Sequence, residues 1–436
     1  MTATEGVANA LARLARRGFA ILLWTLIGAT AAGATPALTI DDATGEVLYA
    51  QDATQRWFPA STTKLMTVYV ALSAVRDHKI SFDTPLVVSA RAHKMPPAHM
   101  GFPTGTQVTL GNALKMLMVE SPNDIAITIA EGVSGSVEAF AGDMNRAAAQ
   151  LGMRDSHFVN PNGLAAPDHY SSARDLAILA RALLATFPEE AKLFDIGELE
   201  LGKKRIPNTN TLLGRYPGMD GMKTGFTCAA GWNLVATAFR NGRRLIVVVL
   251  GGPTADLRNA MVVDLLDRGF DGIDQPHGSV LTLPASQGAP PDLHDEVCAK
   301  DPVTAPFEAD LARLDAPLIA STTAAPATTI EGAIAGSAAA PPQQGNSVVA
   351  RIAALPTPVF TPVAVHIGAE PGYQGAVAQA RAPHAPIGTT TKPMTAEAAE
   401  ALDRKHPAKR TAAAGAKKAK APSHAAAAKA KKPDAS

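Results

Sequence analysis

The feature that most constrains this chain is Asn241-Gly242, set between the strand-like runs 234–240 and 243–250. Asn-Gly supplies the two positive-φ positions that a two-residue hairpin needs, so the runs are expected to pair as antiparallel strands. A helix is predicted after them, over about 255–270. Near the other end, Thr39-Ile40-Asp41 and Val47-Leu48-Tyr49 flank a turn at Asp42-Ala43-Thr44-Gly45, which reads as a second hairpin. Between the hairpins the period changes. Leu65, Met66, Tyr69, Leu72 and Val75 recur at helical spacing, so a helix with a buried stripe starts near Ser61. A long helical region over 111–148 is interrupted at Ser121-Pro122-Asn123, where proline breaks the hydrogen-bond ladder. Another helix is expected at 171–186 and an edge strand at 221–227. This order predicts an α+β fold: an antiparallel sheet built from both chain ends, with a helical lobe inserted between them.

Composition divides the 436 residues unevenly. Arg13, Arg16 and Arg17 precede an apolar run from Phe19 to Ile27, and Ala32-Gly33-Ala34 fits an A-x-A cleavage site. Residues 1–34 are therefore read as an export signal cleaved after Ala34; Arg16-Arg17 followed by Phe19 resembles a twin-arginine signal. Residues 35–276 are read as one catalytic domain. Residues 277–436 turn rich in Pro, Ala and Thr and later Lys, and are read as a long disordered tail, with 347–367 as a short β segment within it. The tail ends in a basic stretch with Arg404, Lys405, Lys409, Arg410, Lys417, Lys418, Lys420, Lys429, Lys431 and Lys432. In an exported protein such a stretch is expected to meet anionic cell-envelope surfaces rather than nucleic acid. Cys228 and Cys298 are expected to stay unpaired, because Cys298 falls in the tail. No Cys/His set has metal-site spacing; His93 and His99 are the closest histidine pair and lack a surrounding H-E-x-x-H, so no metal or other cofactor is expected.

Three short patterns carry chemistry. Ser61-Thr62-Thr63-Lys64 is S-x-x-K. Serine is a poor nucleophile until a base takes its proton, and a lysine one helical turn on, desolvated in a cleft, can be that base. The helix N-terminus also offers a free N–H to an oxyanion. Ser121-Pro122-Asn123 is S-x-N: a hydroxyl to relay protons and an amide that both donates and accepts. Lys223-Thr224-Gly225 is K-T-G: a cation and a hydroxyl on a strand edge suit a terminal carboxylate, and Gly225 lets a substrate backbone come close. Each pattern alone is commonplace. In this order, and each on the element that its chemistry requires, they point to one serine acyl-transfer site.

The triplet resembles that of penicillin-binding proteins and class A β-lactamases. From about residue 36 to 272 the chain is similar to the D-alanyl-D-alanine carboxypeptidase family of low-molecular-mass penicillin-binding serine peptidases. The likeness extends to Phe158-Val159-Asn160-Pro161-Asn162-Gly163-Leu164, His169-Tyr170-Ser171-Ser172-Ala173-Arg174-Asp175 and Asp220-Gly221-Met222. The resemblance implies a β-lactamase/transpeptidase-like fold and a periplasmic enzyme acting on peptidoglycan stem peptides, with β-lactams as covalent inhibitors. It implies Ser61 as nucleophile, Lys64 as base and Ser121 as proton relay. Asn123 would hold the substrate amide, and Lys223, Thr224 and Arg258 the terminal carboxylate. The backbone N–H groups of Ser61 and Phe226 would form the oxyanion hole. Pro122 stands where the family more often has Gly or Ala, and Phe226 where His, Tyr or a small polar residue is usual.

A D,D-endopeptidase of the same family is the nearest rival reading. A β-lactamase is disfavoured because residues 157–163 hold no Glu to deacylate the enzyme. An intact Ser61, Lys64, Ser121, Asn123 and Lys223 argue against a non-catalytic cell-wall scaffold, and no G-x-S-x-G marks an α/β-hydrolase.

Overall fold

The computed structural model describes residues 35–315 and 348–381. The proposed export signal and the terminal basic stretch lie outside the described residues. Among the described residues no helix is long and apolar enough to cross a membrane.

Strands β1 (Ala37–Asp41) and β2 (Val47–Gln51) form the first hairpin. A 3-10 turn, Ala60–Thr63, runs straight into α1 (Lys64–Arg76). The short strand β3 (Pro85–Val87), the one-turn α2 (Ala90–His93) and β4 (Gln107–Thr109) lead into α3 (Leu110–Val119). Then come α4 (Asn123–Ser134) and α5 (Val137–Leu151). The helical region 111–148 thus breaks twice. The second break was not anticipated: Gly135 closes α4 in the left-handed region, and the Ser136 hydroxyl caps α5 by accepting from Ala139 N–H at 3.1 Å.

After α6 (Ala173–Thr186) and a small hairpin, β5 (Glu198–Leu201) with β6 (Lys204–Pro207), the chain returns to the sheet. Strands β7 (Met219–Thr227), β8 (Gly231–Arg240) and β9 (Arg243–Gly252) complete it in the antiparallel order β2-β1-β9-β8-β7. Asn241 and Gly242 take φ of 51° and 79°, the pair of positive values that the turn needs. α7 (Ala255–Phe270) covers one sheet face.

Alternation along β9 separates two cores. Ile246, Val248 and Leu250 pack with α6 and the helical lobe; Leu245, Val247 and Val249 pack with α7. A strand covered on both faces must be apolar throughout, which is why 245–250 reads as a continuous run. The 3-10 turn that carries Ser61 lies between sheet and lobe, against β7.

The tail assignment is corrected in two places. Within 277–315, Val280 is buried in the lobe core, and α8 (His294–Val297) is followed by α9 (Ala305–Asp315). Phe307, Leu311 and Leu314 of α9 join the α7-side core. Their spacing is helical, but the stripe is too short to stand out from the surrounding Ala and Pro. Within 348–381, α10 (Val348–Ala354) places Val348 in that same core, and β10 (Val363–Val365) pairs parallel to β5. The expected β segment at 347–367 is thus half helix. Cys228 and Cys298, expected to be unpaired, form a disulfide with Cα atoms 5.4 Å apart. The reason lies in the docking of the segment before Cys298: Leu293 N–H donates to Ala229 O at 3.1 Å, beside the β7–β8 turn.

Candidate active site

The three patterns meet in one cleft of about 470 Å³, lined by Ser61, Ser121, Asn123, Thr224, Phe226 and Arg258 among others. Ser61 sits on the 3-10 turn, and its predecessor Ala60 has φ 47°. Positive φ at a non-glycine residue stores strain, and such strain gathers at functional sites. Four contacts hold the turn. Asn233 Nδ2 donates to Phe58 O and Pro59 O at 3.0 and 3.1 Å. Thr62 Oγ1 donates to Pro59 O at 2.7 Å. Thr63 Oγ1 lies 2.8 Å from His169 Nε2. Val159 N–H donates to the other ring nitrogen of His169, so Nε2 carries the proton and donates to Thr63. Burial holds His169 down to about 3, which keeps the ring neutral.

Lys64 is the first residue of α1 and is wholly buried. Its Nζ lies 2.7 Å from Ser61 Oγ, and it donates to Asn123 Oδ1 at 2.9 Å and to the Asn162 carbonyl at 2.8 Å. Burial first, then the nearby Lys223 charge, lowers its pKa well below the usual lysine value; Asp124 pulls weakly the other way. Asn162 belongs to the 158–164 stretch, which carried no assigned role in the sequence. Gly163 beside it, φ 86°, has no room for a Cβ against the Ala60 carbonyl.

Ser121 takes φ 62°, and Pro122 is the N-cap of α4. The buried Ser121 Oγ has no hydrogen-bond partner among the described residues. Asn123 turns inward: its Oδ1 serves Lys64, its Nδ2 donates to Pro96 O at 3.0 Å, and its N–H donates to Ala98 O at 2.7 Å. Its side chain is committed first to Lys64 and to the 96–98 loop, with one amide proton remaining. Asp124 anchors the same loop by accepting from Met100 and Gly101 N–H at 3.0 and 2.8 Å.

Lys223, Thr224, Gly225 and Phe226 lie on β7, the sheet's edge. Lys223 is buried. Desolvation, with Arg258 second, lowers its pKa to about 7, while Glu120 opposes. Arg258 on α7 is also buried, and desolvation lowers it to about 10. The steric demand at Gly225 differs from the expected one. A Cβ there would stand 2.9 Å from Pro59 O, 3.0 Å from Ser61 N and 3.1 Å from Thr62 N. The backbone that approaches this glycine is the Ser61 turn itself. The Phe226 ring is 40% exposed and stacks on Trp232, centroids 4.2 Å apart.

The D-alanyl-D-alanine carboxypeptidase family matches residues 27–254, more than half of the chain. The D-alanyl-D-alanine carboxypeptidase DacF of Bacillus subtilis is 37% identical over 242 residues, which are 54% of this chain and 62% of that protein. The chain thus spans under two thirds of the length of this relative. The crystal structure of penicillin binding protein 5 from Haemophilus influenzae superposes with a TM-score of 0.53 at 36% identity, over 55% of this chain and 71% of that one. Penicillin-binding protein D2 from Listeria monocytogenes in its cefotaxime-bound form gives 0.50 at 31% identity, over 55% and 97%. The chain belongs to the D-alanyl-D-alanine carboxypeptidase family.

Proposed function

We propose that the protein is a serine D-Ala-D-Ala carboxypeptidase that removes the terminal D-Ala of peptidoglycan stem peptides through a Ser61 acyl-enzyme. The observation that carries this reading is the coordination of Lys64. A neutral amine has two N–H donors and one lone pair. Asn123 Oδ1 and the Asn162 carbonyl take the two donors. The lone pair is left for the Ser61 hydroxyl at 2.7 Å. Ser61 Oγ then attacks the penultimate D-Ala carbonyl and gives its proton to Lys64. The oxyanion is received by the Ser61 and Phe226 N–H groups. Ser121, whose Oγ has no hydrogen-bond partner among the described residues, passes the proton to the departing D-Ala amine. Water attacks the ester with Lys64 again as base. Lys223, Thr224 and Arg258 hold the terminal carboxylate, and the remaining Asn123 amide proton meets the stem.

A β-lactam acylates Ser61 by ring opening. Its leaving amine stays tethered; penicillin-binding protein D2 from Listeria monocytogenes has been seen in a cefotaxime-bound form. The Cys228–Cys298 disulfide fits an exported protein, and the basic stretch 404–432 is assigned to anionic envelope surfaces.

The test is to incubate the protein with a pentapeptide stem, a cross-linked stem dimer and penicillin, and to read the products by mass spectrometry. D-Ala release from the pentapeptide and a stable penicilloyl adduct on Ser61 are expected. Cleavage of the dimer alone would make it an endopeptidase, and rapid penicilloate turnover a β-lactamase.

A further inference from the structure

The segment 208–211, Asn-Thr-Asn-Thr, carries none of the three patterns, yet two of its side chains line the cleft. Thr209 Oγ1 lies 2.8 Å from Thr224 Oγ1. Its N–H donates to Val119 O at 3.2 Å, at the end of the helix that leads to Ser121. Thr209 therefore joins the arm of the second pattern to the strand of the third. Thr211 Oγ1 accepts from Asn259 Nδ2 at 3.0 Å. Asn259 Oδ1 in turn accepts from both Nε and Nη2 of Arg258, at 3.1 and 2.8 Å. Arg258 Nη1 donates to Asn233 O at 2.9 Å. These bonds use three of the five guanidinium N–H groups and leave two for a ligand.

The backbone that presents the two threonines is itself pinned. Asn208 donates through N–H to Gly197 O and through Nδ2 to Ile196 O, both at 2.8 Å, and its Oδ1 accepts from Asn210 N–H at 2.8 Å. Asn210 Oδ1 accepts from Leu212 N–H at 3.2 Å, and its Nδ2 donates to Gly221 O at 3.2 Å, on β7. Asparagines bonding their own backbone two residues on make rigid turns. A hydroxyl needs such help, because a free Thr O–H rotates. Either hydroxyl can donate across the 2.8 Å pair; with Thr209 as the donor, Thr224 keeps its own proton for an acceptor in the cleft.

We propose that Thr209 and Thr211 are positioning residues that set the preference of this site for a free terminal carboxylate. Thr209 orients the Thr224 hydroxyl, and Thr211 orients the Arg258 guanidinium through Asn259. The inference rests on the reading that this cleft binds a carboxylate-ended peptide.

The test compares a stem peptide ending in D-Ala-D-Ala with its C-terminal amide. Steady-state kinetics would be measured on the full chain and on its Thr209→Val, Thr209→Ser and Thr211→Val variants. One neutral hydrogen bond is worth roughly a fivefold effect. Thr209→Val should therefore lower the carboxylate-over-amide preference in kcat/KM by about fivefold, chiefly through KM; Thr209→Ser should restore it, and Thr211→Val should lower it by a similar factor. Equal losses on both peptides, or an unchanged preference, would overturn the proposal. Calorimetric binding of the two peptides to Ser61→Ala, with and without Thr209→Val, reads the same ratio without turnover. If Ser61→Ala does not discriminate between the peptides at all, the carboxylate reading of the cleft fails first. If it discriminates and Thr209→Val leaves the ratio intact, only the role of Thr209 fails.

Discussion

Replacing Gly225 by alanine tests whether the K-T-G strand positions the nucleophile as well as the substrate. The added Cβ would meet Pro59 O at 2.9 Å, Ser61 N at 3.0 Å and Thr62 N at 3.1 Å, against an ordinary contact of 3.4–4 Å. All three are backbone atoms of a turn that Asn233 also ties to β8, so no side chain can swing aside. Relief needs a displacement of about 0.5 Å between β7 and the turn. A misplacement of about 1 Å costs on the order of 100-fold in rate, so about 0.5 Å corresponds to roughly tenfold, or about 1.4 kcal/mol of barrier. Overpacking adds about 1–3 kcal/mol of destabilisation. The assay is the single-turnover rate of Ser61 acylation by a fluorescent penicillin, with thermal unfolding followed in parallel. Wild-type acylation together with wild-type melting would refute the argument, because it would mean that the turn accommodates a methyl group without moving Ser61.

Lys223 supplies a pH prediction. Its folded pKa is lowered to about 7, so its cation is present below that pH and lost above it. For carboxylate-ended peptide, kcat/KM should fall as pH rises through about 7, and Lys223→Arg should remove that alkaline limb; parallel profiles on peptide and amide check it. Cys298→Ser opens a loop of 70 residues and should cost at most about 4 kcal/mol, read as a lower calorimetric melting temperature; an unchanged melt would show that the segment docks without the bond. A chain ending at residue 276 loses buried Val280, Phe307, Leu311 and Leu314, worth about 2 kcal/mol each before entropy. It should melt far lower or fail to fold, whereas a chain ending at residue 381 should take up penicillin at the full-length rate.

The sheet was legible because its signals are local. Asn241-Gly242 fixes one hairpin by turn chemistry, and the short apolar run beside it is bounded by turn signals. The three patterns were legible because each is a few consecutive residues. What stayed hidden depends on partners far away in sequence. Asn162 reaches Lys64 with a backbone carbonyl, which no residue type announces. Thr209 has meaning only opposite Thr224, and Asn233 only beneath Pro59. The pairing of Cys298 required the docking of a segment whose few apolar residues were diluted by its neighbours. Gly225 was read as admitting a substrate backbone, whereas the backbone that approaches it is that of the Ser61 turn, a partner far away in sequence.

Burial first, and then repulsion along a series, sets the three buried basic groups apart. Burial lowers all of them, and the charges then act in series: Arg258 depresses Lys223, and Lys223 depresses Lys64. Arg258 starts from the highest value and at about 10 still keeps its charge at neutral pH. Lys223, at about 7, is divided between its forms. Lys64, last in the series, lies well below the usual lysine value through burial first and the Lys223 charge second, which favours the form whose lone pair can accept a proton. On the proposed function, a terminal carboxylate arriving at Arg258 and Lys223 would support the Lys223 cation directly. That cation in turn would oppose protonation of Lys64 as the negative charge arrives. The same burial that would make three isolated cations costly therefore separates the site into an end that holds charge and an end that holds a base. A substrate lacking the carboxylate would leave Lys223 divided between its forms, and so would lose both its anchor and part of the field that keeps the base free.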